Sequence, residues 1–186
     1  MERIVFLLGT SHACQGGYEN IKTVSDNDLL EFKTFLRETC RTFGIKAICE
    51  EMRPENLDDK YNGISIPKDV ALSLKDTEHK YCDPSSEQKK VMGIRDSGIF
   101  TQTKKLPEIF QPEELKSLTQ EEADELEWQE DQKREPYWLC QIQELSIWPT
   151  IFICGSNHIP TFENLLKTAA FTVNIISEKW EPTIDK

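Results

Sequence analysis

Two of the three histidines in this chain share one setting. Residues 9–12 read "GTSH" after the apolar run Ile4–Leu8, and residues 155–158 read "GSNH" after the run ending at Cys154. An imidazole carries protons near neutral pH and also ligates metals. Carboxylates stand at the ends of two other apolar or β-rich runs: Glu50 and Glu51 in "CEEM", and Asp83 in "YCDP". If these runs are parallel strands, all five groups share one edge of a sheet. Two imidazoles with one or two carboxylates suit divalent zinc, manganese or cobalt. Such an ion lowers the pKa of its water and supplies a hydroxide nucleophile. His12, His158 and Glu51 are thus the candidate ligands, with Glu51 or Glu50 as general base. Asp83 would orient an imidazole or meet the substrate. Two alternatives use the same residues. His12 with Glu51 could activate a nucleophile for ester or lactone chemistry without a metal, or the cleft could be a binding module for a small ligand or haem.

The glycines suit this arrangement. Gly turns a chain without a Cβ clash and admits a close backbone approach. His12 is then expected on a loop anchored by a buried strand. Arg134, Glu135, Tyr137 and Trp138 cluster at the start of a predicted helix, where Arg134 and Trp138 share a face. A cation with aromatics there could clamp an anionic substrate group, which makes Arg134 and Tyr137 substrate-binding candidates and Arg134 a candidate stabiliser of developing charge. His79, between Glu78 and Lys80, is expected to be exposed. Cys14 reads as a buried or loop thiol, and "GGY" at 16–18 as a flexible loop without the dinucleotide fingerprint.

The elements that must position these residues alternate. "RIVFLL", "IKAICEEM", "HKYCDP", "PTIFICGSNH" and "TVNIIS" read as strands. A helix capped by Ser25 or Asp26 and ended by Gly44 separates the first two. "IPKDVALSLKDTE", "SSEQKKVMGI", an acidic stretch from Pro112, "REPYWLCQIQELS" and "TFENLLKTAAF" read as further helices. Alternation of this kind predicts a single α/β domain with a mostly parallel sheet and helices on both faces. In such sheets ligands bind beyond the carboxyl ends of the strands. The stretch 93–133, a loop plus an acidic helical insertion, could form a lid over that edge.

Composition narrows the partners. The chain has 186 residues, 33 acidic against 22 basic, for a formal charge of -11. A body this acidic disfavours nucleic acid. No apolar stretch reaches the roughly 20 residues needed to span a bilayer, and the N-terminus lacks a signal-peptide pattern. Six cysteines without a CxxC pair suggest free thiols in a reducing cytoplasm. The expected partner is a small-molecule or peptide substrate, with neither nucleic acid nor membrane, and a possible homodimer as the assembly.

Taken together, "GTSH", "GSNH" and the Glu51–Met52 pair resemble the hallmark of the TraB/GumN/Tiki family, within the broader erythromycin-esterase/ChaN-like fold group. That hallmark is two Gly-x-x-His motifs plus a glutamate after the second strand. Asp83 stands where the family tends to carry an Asp. Arg134 opens "REPYWL" where the family has an Arg-Asp pair, with Glu135 in place of the Asp. The order matches from residue 4 to about 176. Pro84 replaces a usually basic residue, and the middle of the chain is compressed. The resemblance implies a hydrolase-like site, metal-dependent and peptidase- or amidase-like as in the Tiki branch.

Overall fold

A computed structural model describes residues 2–16, 24–57, 63–95 and 119–183. Five parallel strands form one sheet in the order β3-β2-β4-β1-β5. They are β1 Ile4–Thr10, β2 Ala47–Glu50, β3 Glu78–Tyr81, β4 Thr150–Gly155 and β5 Thr172–Ser177. The helices are α1 His12–Gly16, α2 Asp26–Thr42, α3 Ile66–Ser73, α4 Ser86–Val91, α5 Gln120–Gln132, α6 Glu135–Leu145 and α7 Ile159–Thr168. The protein is α/β, as its alternating pattern predicts.

The strand order dictates where the helices go. From β1 to β2 to β3 the chain steps toward one edge, and from β3 to β4 to β5 it steps back toward the other. Right-handed crossovers then place α2 and α3 on one face and α6 and α7 on the opposite face. Packing agrees. Phe6, Leu8, Ile48, Ile151 and Ile153 form one core with Phe32, Leu36 and Cys40 of α2 and Val70 and Ala71 of α3. On the other face Phe152 of β4 meets Trp138 of α6 and Phe162 of α7, with ring centroids 5.5 and 4.7 Å away. The helix ends follow their sequence signals. Ser25 and Ser85 form capping boxes, Ser65 caps α3, and Gly44 takes a positive φ of 62° after α2.

The chain divides into two compact units, residues 1–83 with 138–186, and residues 84–137. The first holds the sheet. The second contains α4 and α5, the latter capped by Thr119 in a box with Glu122. Within it the Arg95 N–H donates to Glu130 at 3.1 Å, and Lys133 pairs with Glu130 at 2.6 Å. Most of the lid expected over 93–133 falls on residues 96–118, outside the described residues. Gly17 and Tyr18 of "GGY" lie outside them as well.

Two local expectations change. His12 is not on a loop but opens the short helix α1 directly after β1. Five residues are too few to show a helical period, so this turn leaves no pattern in the sequence. His79 is not exposed, because it lies inside β3 with only 9% of its side chain accessible. Its neighbour across the ladder is Ile48, and the next residue of β2 on the same face is Glu50. The six cysteines are free thiols, five of them buried and Cys140 exposed. Among the described residues no helix is long and apolar enough to cross a membrane.

Candidate functional site

β4 lies between β2 and β1, and these neighbours lead to helices on the face opposite to the one β4 leads to. The chain therefore parts at the carboxyl end of β4, the kind of switch point where open α/β sheets place ligands. Gly155 ends β4 there, Thr10 of β1 pairs with it on one side, and Glu51 follows β2 on the other.

Three groups converge at this point. The Glu51 side chain is fully buried, and its Oε2 accepts the Gly155 N–H at 2.7 Å. Its Oε1 lies 3.6 Å from Nε2 of His12 and 3.6 Å from Nε2 of His158. The side chain of His158 is 4% accessible and that of His12 is 55% accessible. His12 is thus the member that solvent or a substrate reaches. His158 closes a 3-10 turn, Ser156–His158, and runs straight into α7.

Gly155 makes this approach possible. A Cβ there would lie 3.4 Å from Glu51 Oε2, 3.6 Å from His158 Cδ2 and 3.7 Å from His12 Nε2. Its φ of -56° is ordinary, so its value here is close approach and not conformational freedom. Gly9 is also present for close approach. A Cβ on it would fall 1.9 Å from the Glu178 carbonyl oxygen, in a stretch where the Trp180 N–H donates to the Gly9 carbonyl at 2.7 Å.

The two adjacent glutamates part company. Glu50 takes the α3 side, where its Oε1 accepts from the Ser65 hydroxyl and lies 2.7 Å from His79 Nε2. Tyr81 stands edge-on to His79 at 4.5 Å. Burial pushes the Glu50 carboxyl above its ordinary range, and the His79 and Ser65 bonds oppose that shift. The structure therefore brings His12, His158 and Glu51 together and holds Glu50 apart from them.

The remaining candidates are placed as follows. Asp83 Oδ1 accepts the indole N–H of Trp138 at 3.2 Å, a link not foreseen in the sequence because the two residues belong to different strand–helix segments. Arg134 is in the second unit, in an ion pair with Asp131 at 3.2 Å, and Tyr137 ends that unit half-buried. Cys14 is buried in α1, with its sulfur accepting from the Ser11 hydroxyl at 3.2 Å. A cavity of about 670 Å³ opens beside the switch point, lined by Ser11, Cys14, Ser156, the start of α2 and Trp180.

For a metal the donor types fit. Among the described residues no set of three or more His, Cys, Asp or Glu side chains is placed to hold an ion. Donors sharing one ion at about 2.1 Å in tetrahedral geometry stand about 3.4 Å apart, close to these 3.6 Å contacts. The arrangement is one carboxylate oxygen with two imidazole nitrogens 3.6 Å away. In comparisons with protein families, curated proteins and solved structures, nothing matches this chain.

Proposed function

We propose that the protein is a hydrolase that activates water, or a substrate hydroxyl, with His12, His158 and Glu51. One observation carries this reading: a single buried carboxylate oxygen lies 3.6 Å from two imidazole nitrogens at the strand-end switch point. The likeness of the two Gly-x-x-His motifs to the TraB/GumN/Tiki group supports the same class of reaction. The cavity beside Ser11 and Ser156 is lined by none of these three groups but adjoins His12 and Gly155 in the chain, and it has room for a small substrate.

Each group has a role in keeping with its surroundings. His12, open to solvent, takes the proton of the attacking water as general base. Glu51, pinned through Oε2 by the Gly155 N–H, stabilises positive charge as it develops on the imidazole. His158, buried against the same Oε1, returns a proton to the leaving group. The reacting oxygen sits above Gly155, where the missing side chain would touch all three groups. Arg134 and Tyr137 take no step in this mechanism. Six free thiols suit a reducing, cytoplasmic setting.

A panel of esters, lactones and peptides tests the proposal. Wild-type protein is expected to turn over at least one class, and His12→Ala to lose about 10²- to 10⁴-fold of that rate. A rate in His12→Ala equal to wild type removes the mechanism. Metal analysis of protein purified without chelator is the second arm. Zinc or manganese at one equivalent, lost with activity in His12→Ala and in His158→Ala, would assign water activation to a bound ion.

A further inference from the structure

His158 is held by more than Glu51. It is the residue before α7, yet its side chain makes no capping bond to that helix. Its ring instead stands edge-on to the Trp138 indole, with centroids 4.8 Å apart and planes at 74°. Edge-to-face pairs are favourable and directional, so the indole limits how far the imidazole can turn. Trp138 is fully buried and packs on Phe152 and Phe162, each 5.5 Å away. Those apolar contacts are not directional about the polar edge of the indole. The bond from its Nε1–H to Asp83 Oδ1 at 3.2 Å adds a directional constraint on the ring. Asp83 is fixed in turn, because its backbone N–H donates to the Met52 carbonyl at 3.3 Å, one residue beyond Glu51.

We infer that Asp83 and Trp138 are positioning residues that set the angle of the His158 imidazole toward Glu51. The ends of β2 and β3 then form one frame. One carries the carboxylate, and the other carries the anchor for the ring that orients its imidazole partner. This inference rests on the hydrolase reading only for its catalytic consequence.

Side-chain NMR tests it on the intact protein, which has three histidines and four tryptophans to resolve. Asp83→Leu is expected to displace both the Trp138 indole N–H signal and the His158 ring signals, leaving those of His79 in place. Asp83→Asn keeps an acceptor and is expected to restore both. An indole signal that moves while the His158 signals coincide with wild type overturns the inference. If Asp83→Leu does not fold, Trp138→Phe keeps a ring and removes the donor. A broadened or split His158 signal is then expected, and a single sharp one overturns the inference. With a turned-over substrate, Asp83→Leu is expected to lower kcat about tenfold to a hundredfold with KM little changed, and Asp83→Asn to recover it. A wild-type protein that hydrolyses nothing removes the proposed function, while the NMR outcome still decides the positioning role.

Discussion

A methyl group on Gly155 would touch the three side chains of the candidate site at once, at distances that need no movement of the backbone. The same group on Gly9 would collide with a carbonyl oxygen. The two glycines occupy equivalent places in "GTSH" and "GSNH", so they invite one explanation, but the structure gives each its own. Gly155→Ala is therefore expected to fold with near-wild-type stability and to lose hydrolysis, because its methyl fills the space assigned to the reacting oxygen. Gly9→Ala is expected to lower the thermal midpoint by several degrees, since the 178–180 stretch must move away from β1. A calorimetric scan and a rate assay on both variants check the pair, and an active Gly155→Ala protein would empty that space of its assigned role. The adjacent glutamates divide in a similar way. The parity of a strand tells which residues share a face but not which face meets the site, so "CEEM" alone leaves both open. Glu50, with its carboxyl raised by burial, makes a pH prediction. In the fold its protonated form is favoured relative to the unfolded chain. Its contribution to stability is complete below the ordinary carboxylate range and is lost as pH rises through its raised folded value. Comparing wild type with Glu50→Gln by urea unfolding, the advantage of wild type is expected to shrink as pH rises above the ordinary carboxylate range. An advantage that grows with that rise would mean that the His79 and Ser65 bonds outweigh burial.

At the scale of elements, serine hydroxyls at helix starts do two kinds of work. Ser25 caps α2, accepting the Asp28 N–H at 3.3 Å while Asp28 accepts the Ser25 N–H at 2.7 Å. Ser65 caps α3 through the Lys68 N–H at 3.2 Å and also donates to the buried Glu50 carboxyl. Ser25→Ala is expected to cost about 1 kcal/mol, the ordinary loss of a cap. Ser65→Ala is expected to cost about 2–3 kcal/mol, because a buried acceptor loses its donor as well. Urea midpoints at fixed pH separate the two, and equal losses would show that the Ser65–Glu50 bond contributes nothing. The Ser25 cap is readable as Ser ahead of an apolar helical period, and so are the buried strands, whose β-branched runs have no other good home. What was not readable shares one cause. α1 is too short to have a period. His79 sits in an edge strand without an apolar run, and its partner Glu50 belongs to another strand. The Asp83–Trp138 bond joins residues 55 positions apart. Local pattern reports what a segment buries, but not which distant side chain it meets.

For the whole molecule, the decisive feature is that the catalytic candidates are mounted on the most enclosed strands. β1 and β4 are central and their residues almost wholly buried, while β5 and β3 form the edges and are half-exposed along their length. Two Gly-x-x-His motifs could be recognised in the sequence as a pair on one sheet edge, because parallel strands present their ends together. That they flank a single switch point follows from the order β3-β2-β4-β1-β5, which no local pattern encodes, since it depends on where each crossover returns. This order has a dynamic consequence. Backbone amides open in cooperative units, and those in the enclosed centre open only with global unfolding. Amides of Leu7, Leu8, Phe152 and Ile153 are expected to exchange at rates set by the full unfolding free energy. Those of Val173 to Ile176, on an edge strand with one side open, are expected to exchange much faster. If so, His12, Glu51 and His158 are carried by the most rigid part of the sheet, and the 3.6 Å contacts to Glu51 persist while the edges open and close. Native-state hydrogen exchange across a urea series measures this directly. Equal protection in β4 and β5 would mean that the sheet opens as one piece. The site would then have no rigidity beyond that of its edges, and preorganisation of His158 would have to come from Trp138 and Asp83 alone.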